Sequence, residues 1–436
     1  MNTQRIALFP MNSEVNKDGH LVIGGCDTVE LVKEFGSTLY LFDENTLRSM
    51  CREFKREFGQ RYEDTTVVFA GKACLNRSIA SILKEEDIGL DVVSAGEYAI
   101  AESVNFPADM IYLHGNNKSA EELRTALKNR FARIVVDGFD ELKLLAKLAE
   151  KAGCIPDILL RITPEVDAHT HKHITTGLSG SKFGFPLFDA DRAVSMAMSL
   201  ESLNLVGLHC HIGSLINETQ PYVETIDVML GFASQMERKY GFELEELDIG
   251  GGFPVRYTVN SPNVKIAAFA EAIVSRLISR CNALDMPLPS LTIEPGRAIV
   301  ARAGVALYRV GMIKDVSGLK RYISVDGGMA DNIRPALYEA EYEALIANNA
   351  AAEDTDTVTI AGKYCESGDI LIKEIKLPPA ACGDIIAVPV CGAYCIPMAS
   401  NYNASLKPAI VMVKEGAARI IRKRDTLQDL VRNDLL

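Results

Sequence analysis

Eight short apolar runs recur between residues 65 and 297, and each closes on glycine, serine, aspartate or a polar cluster. They are TTVVFAGK (65–72), GLDVVSAG (89–96), DMIYLHGN (109–116), ARIVVDGF (132–139), DILLRITP (157–164), NLVGLHCHIG (204–213), ELDIGGG (246–252) and LTIEPGR (291–297). Apolar runs of this kind suit strands buried on both faces of a parallel sheet. The stretches between them, such as NRSIASILKEED and DELKLLAKLAEKAG, have the spacing of amphipathic helices. Strand–helix alternation repeated eight times predicts an α/β fold, a (β/α)8 TIM barrel, with its reactive side chains at the C-terminal ends of the strands.

Past residue 300 the texture changes. GVALYRVGMIKDV, RYISVDGG, DTVTIAGKYC, GDIIAVPVCGAY and KPAIVMVKEGAARIIRK are β-rich with few helical stretches between. They predict a C-terminal β-sandwich or β-barrel domain, completed by the N-terminal segment. The chain has 436 residues, too many for one ordinary domain, and the expected division is a barrel over 37–298 and a β-domain from 1–36 and 299–436.

The formal net charge of −12 argues against nucleic-acid or anionic-membrane partners, although a local arginine clamp still permits an anionic small substrate. MNTQRIALFP lacks a basic segment followed by an apolar one, so no secretory signal is expected. No apolar run approaches the ~20 residues of a membrane helix. Ten cysteines without a spaced framework or a CxxC pair point to reduced thiols and a cytoplasmic protein.

The strand ends carry the chemistry: Lys72, Asp91, Arg161, His209, His211, Gly250, Gly251, Gly252 and Glu294. Three adjacent glycines after a strand offer backbone N–H groups to an anion, and late barrel loops are a usual phosphate seat. A tight turn is the plainer explanation of the same glycines. A phosphate seat, a strand-end lysine and a strand-end glutamate together suggest pyridoxal 5′-phosphate, with Lys72 as covalent attachment and Glu294 beside the pyridine nitrogen. HCHIGS offers an imidazole to stack on a flat ring and Ser214 to touch a phosphate; a satisfied core histidine is the plainer reading of His209. Histidines 169, 171 and 173 alternate as metal ligands on a strand do, but no carboxylate or cysteine pattern completes a site, and no metal is expected.

FAGKA, HCHIGS, DIGGGFP, EPGRAIVARAG, VDGGMADNIRPALY, CESGDIL and GAYCIPMASNYN, in this order from about residue 37 to residue 430, resemble the fold-type III pyridoxal-phosphate decarboxylases. The resemblance implies a barrel plus a β-domain, working as a head-to-tail homodimer with shared active sites. It implies that Lys72 carries the cofactor, His211 stacks on its ring, and Ser214 and Gly250 to Gly252 contact its phosphate. Glu294 would meet the pyridinium, with Asp91 and Arg161 close by. Tyr394 would lie near cofactor phosphate and substrate, and Cys365, supplied by the partner copy, would be a candidate proton donor. Arg297, Arg334 and Tyr338 would clamp a far-end carboxylate, and Glu366 would accept a far-end ammonium. An arginine fork suits a carboxylate because it binds both oxygens.

The implied substrate is therefore a small amino acid with a second amino-acid centre. Two departures bear on the pocket: CIPM follows GAY, and Lys363 stands where the family frequently has proline. The alternatives are a same-fold decarboxylase of ornithine, arginine, carboxynorspermidine or carrier-bound glutamate, and a catalytically dead regulatory homologue. Retention of Lys72 and Cys365 opposes the last. Glu294 opposes a racemase, which typically faces the ring nitrogen with arginine.

Overall fold

The computed structural model of the chain describes residues 3–167 and 180–436. The histidines at 169, 171 and 173 lie outside the described residues. The chain forms two compact units, Cys51–Pro254 with Val264–Gly296, and Met1–Met50 with Val255–Asn263 and Arg297–Leu436.

The first unit contains strands β1 (Thr65–Ala70), β2 (Gly89–Val92), β3 (Ile111–Leu113), β4 (Arg133–Val136), β5 (Asp157–Thr163), β6 (Asn204–His209), β7 (Glu246–Asp248) and β8 (Ser290–Ile293). Each pairs in parallel with the next, and β8 pairs with β1. That closes the eight-stranded barrel the apolar runs predict. Helices connect the strands with local signals in place. Asn76 caps Arg77–Glu85 by accepting from the N–H groups of Ser78 and Ile79, and Ser119 forms a reciprocal capping box with Glu122. Val68, Tyr112, Val135, Leu159 and Val206 pack together as one buried cluster from five strands.

A charged network sits deeper in the same barrel. Glu246 accepts from Tyr112 Oη (3.0 Å), Arg133 Nε (2.6 Å) and Thr292 Oγ1 (2.8 Å), so a buried carboxylate is satisfied across four strands. Gly207 makes room beside it: a Cβ there would lie 2.0 Å from the Glu246 carbonyl oxygen.

The second unit is built on a nine-stranded mixed sheet. Its long strand Gly304–Val316 pairs antiparallel with Leu39–Asp43, Lys320–Val325 and Ile385–Val388. Ala409–Lys414 runs parallel to Leu39–Asp43, and Asp356–Ala361 parallel to Lys320–Val325. The N-terminal segment joins this core, with Phe9, Leu21, Ile23, Leu39, Leu41, Val305, Leu307, Ile385 and Val411 in one buried cluster. Residues 39–43, read from sequence as the entry into the barrel, pair within this sheet instead. LYLFD is apolar and leads into a helical pattern, so its period matches a barrel repeat while its hydrogen-bond partners lie far along the chain.

Candidate active site

Every barrel strand delivers one ionisable side chain to its C-terminal end: Lys72 after β1, Asp91 in β2, His114 after β3, Asp137 after β4, Arg161 in β5, His209 in β6, Asp248 in β7 and Glu294 after β8. His114, Asp137 and Asp248 were not singled out from sequence. Their signal, one polar residue closing an apolar run, is the one that marked Asp91.

Lys72 rides on a single 3-10 turn, Gly71–Ala73, whose flanking residues are buried while its own side chain is 43% exposed. Gly71 is needed because a Cβ there would meet the Asp91 carbonyl oxygen at 2.7 Å. The Lys72 ammonium lies 3.8 Å from Asp91 Oδ2. Burial raises the Asp91 carboxyl above its ordinary range, although His114 and Lys72 pull the other way. Glu97, on the next helix, is pushed up to about 7, chiefly by burial; the Val93 N–H at 2.6 Å opposes the shift.

Glu294 lies 2.7 Å from His114 Nε2 and 3.5 Å from His209 Nε2. Burial penalises its charge, but the two imidazoles outweigh burial and hold the carboxyl well below its usual range, as an anion. His209 is lowered to about 3, mainly by burial, and is neutral. His211 is also lowered, first by burial and then by Lys72 and Arg161. The Gly251 N–H donates to His211 Nδ1 at 3.2 Å, which fixes a neutral ring with its proton on Nε2. Arg161 lies 3.8 Å from Asp137 Oδ1 and over the Phe183 ring, 4.5 Å from its centroid.

The triple glycine serves two purposes. Gly250 and Gly252 have φ of +69° and +100°, and a Cβ at Gly251 would lie 2.3 Å from the Glu294 carbonyl oxygen. The tight-turn explanation therefore holds. Of the three N–H groups, Gly250 donates to Asp248 Oδ1 (2.8 Å) and Gly251 to His211. A Cβ at Gly252 would lie 2.7 Å from the Gly213 carbonyl oxygen, so this loop abuts the one that carries Ser214.

These residues fit pyridoxal phosphate. Among the described residues, buried oxygens of Asp91 and Glu294 and the Nε2 of His209 have no hydrogen-bond partner. The glycine-lined backbone leaves no room for side chains, an anionic carboxylate suits a protonated ring nitrogen, and an amine stands exposed at a rigid strand tip.

A second cluster lies within the β-unit. Arg297 Nη1 donates to Tyr257 Oη at 2.8 Å, and its guanidinium stacks on Tyr394, 4.6 Å from the ring centroid. Arg334, 3% exposed, donates from Nη1 to Tyr342 Oη at 2.5 Å and lies 4.8 Å from the Tyr257 centroid. Tyr257 and Tyr342 pack edge to face, 5.4 Å apart. Arg334 has no carboxylate partner among the described residues, and the phenols around it outweigh burial and keep it cationic. The resemblance names Tyr338 as a third member of the carboxylate clamp. The phenol on the Arg334 guanidinium is that of Tyr342, four residues past the short helix Arg334–Tyr338, and Tyr338 itself is half-buried at the end of that helix. Tyr257 and Tyr342 gave no sequence signal beyond being aromatic.

Cys365 and Glu366 share one exposed loop. Asp369 organises it, accepting from the N–H groups of Met329 (2.7 Å) and Tyr364 (2.8 Å). The Cys365 N–H donates to Asn403 Oδ1 at 3.0 Å.

A barrel that ends in a lysine, a glycine-lined loop and a buried glutamate defines the class. Residues 44–301 match the family described as pyridoxal-dependent decarboxylase, pyridoxal binding domain. Diaminopimelate decarboxylase of Bacillus subtilis is 43% identical over 97% of each chain, and that of Synechocystis is 42% identical over 98% of this chain and 93% of its own. The crystal structure of diaminopimelate decarboxylase from M. jannaschii in co-complex with L-lysine superposes with a TM-score of 0.92 at 33% identity, covering 98% of each chain. The chain belongs to the pyridoxal-dependent decarboxylase family, in the group of the diaminopimelate decarboxylases.

Proposed function

We propose that the protein decarboxylates meso-2,6-diaminopimelate, at its D-configured centre, to L-lysine and CO2. The observation that carries the substrate is Arg334, a buried cation framed by phenols and matched by no carboxylate among the described residues. A buried guanidinium without an anion is costly, and a far-end carboxylate removes that cost. Ornithine and arginine have none to offer.

Pyridoxal phosphate, when bound, supplies the electron sink for the pair left behind as the α-carboxylate departs. Lys72 Nζ would be its attachment point. Glu294 holds a proton at the ring nitrogen. The neutral His211 imidazole would support the cofactor ring. Ser214 and the Gly252 N–H receive the phosphate, with Asp91 and Arg161 setting the surrounding charge. Arg297 and Arg334 orient the far carboxylate, with Tyr394 and Tyr338 beside the substrate and Glu366 taking the far ammonium. Cys365 Sγ returns a proton to the α-carbon. Because Cys365 and Glu366 stand on an exposed loop, we assign them to the active site of a second copy, which makes the working unit a homodimer with shared sites.

We also place the enzyme in the reducing cytoplasm. None of the ten cysteines is in a disulfide, and no helix among the described residues is long and apolar enough to cross a membrane.

Purified holoenzyme incubated with meso-diaminopimelate should release CO2 and lysine in equal amounts and leave L-ornithine essentially untouched. Faster turnover of ornithine would overturn the substrate assignment.

A further inference from the structure

Four of the barrel-end side chains converge more tightly than the rest. His114, His209, Asp248 and Glu294, all buried, each offer one ligand-type atom, and these atoms lie within 4.8 Å of one another. They arrive from β3, β6, β7 and β8, so rigid strand ends rather than flexible loops hold them.

Among the described residues, His114 Nε2, His209 Nε2, Asp248 Oδ2 and Glu294 Oε1 have no hydrogen-bond partner. The closest pair is informative. His114 Nε2 and Glu294 Oε1 are 2.7 Å apart, and His209 Nε2 lies 3.5 Å from the same carboxylate, so both rings crowd one anion. Buried polar atoms are seldom left unsatisfied, at about 1–3 kcal/mol each. A pyridine nitrogen with its single proton meets one carboxylate oxygen. It leaves two imidazoles and a second carboxylate to be accounted for.

Two imidazoles and two carboxylates form a ligand set for a four-coordinate transition-metal ion of the Zn2+ type, whereas Mg2+ and Ca2+ favour all-oxygen shells. The local charge favours a cation as well. Asp91 and Asp137 stand at the same barrel end as Asp248 and Glu294, against Lys72 and Arg161. We propose that the cofactor-free chain binds one divalent transition-metal ion through His114, His209, Asp248 and Glu294, at the corner where the ring nitrogen would lie, so that metal and cofactor exclude each other. Cofactor loading would then depend on free zinc, a form of control outside the decarboxylation reading.

The test starts from full-length protein stripped of cofactor with hydroxylamine and dialysed against chelator. Calorimetric titration with ZnCl2 should show one equivalent bound, and the same titration of holoenzyme should show none at that affinity. Co2+ in place of Zn2+ should give a d–d absorption spectrum without thiolate charge-transfer bands, which separates this site from the cysteines. His209→Gln and Asp248→Asn should each weaken binding by at least roughly tenfold. Zinc should also slow the recovery of cofactor absorbance on adding pyridoxal phosphate. The proposal is overturned by no stoichiometric uptake (the outcome if Asp248 and Glu294 merely share a proton), by equal uptake in apo- and holoenzyme, by a thiolate spectrum, or by unchanged affinity in both variants. The apo–holo comparison and the Co2+ spectrum use the unmutated protein, so they decide the matter even where a variant fails to fold.

Discussion

At the residue scale, several buried groups are held in unusual charge states. Glu294 stays anionic because two imidazoles stand beside it, and its carboxylate has a neighbour to stabilise only when the ring nitrogen is protonated. Glu294→Gln should therefore lower kcat by roughly 10²–10³-fold while cofactor stays bound, as loss of one preorganised electrostatic partner does. Single-turnover kinetics with a cofactor absorbance check would read both.

Glu97 makes a pH prediction. Its carboxyl is raised to about 7 in the folded chain, so the folded state holds a proton that the unfolded state has already lost. Stability from this group is thus present at low pH and falls as pH rises from the ordinary carboxylate range through about 7. Cofactor-free Glu97→Gln should melt higher than the unmutated apoprotein at about pH 8 and no higher at about pH 5. A uniform shift at both pH values would contradict the assignment. For the far-end clamp, Arg334→Met should cost about 2–5 kcal/mol in kcat/KM for meso-diaminopimelate. Tyr342→Phe, which keeps the ring and removes one hydrogen bond, should cost about 1 kcal/mol.

At the element scale, most of the barrel was legible because its signal is local. Continuous apolar runs, capped helices and strand-closing polar residues sit within a few positions of each other, and all eight runs became strands. Leu39–Asp43 was misplaced because pairing partners more than 250 residues away, not its own period, decide its sheet. The same reason hid Tyr257 and Tyr342: each meets Arg334 through the fold, and only Tyr342 is near it in sequence. His114 and Asp248 were legible in kind, as strand-end polar residues, but their convergence on Glu294 required the barrel to close. The glycines divide in the same way. GGG was visible as a motif, whereas Gly207, inside β6, is explained only by the Glu246 carbonyl pressed against it. Gly207→Ala should destabilise the fold by at least about 3 kcal/mol, read as a shift in the denaturant midpoint, because backbone rather than a flexible side chain must move.

At the scale of the whole molecule, the two units carry complementary chemistry. The barrel carries Lys72 and Glu294 at its strand ends, and the β-unit carries Arg297 and Arg334 in an aromatic frame. The proposed homodimer rests on the exposed Cys365–Glu366 loop. Mixing inactive Lys72→Ala with inactive Cys365→Ala should restore part of the activity, because mixed dimers contain one site with neither lesion. Failure of exchanged subunits to regain activity would argue for sites complete within one chain.

The most direct test of the central claim is covalent. Holoenzyme reduced with borohydride, digested and mapped by mass spectrometry should carry the phosphopyridoxyl group on the peptide containing Lys72, and unreduced Lys72→Ala should lack the cofactor absorbance. Modification confined to another lysine, or full absorbance and decarboxylation in Lys72→Ala, would contradict the account.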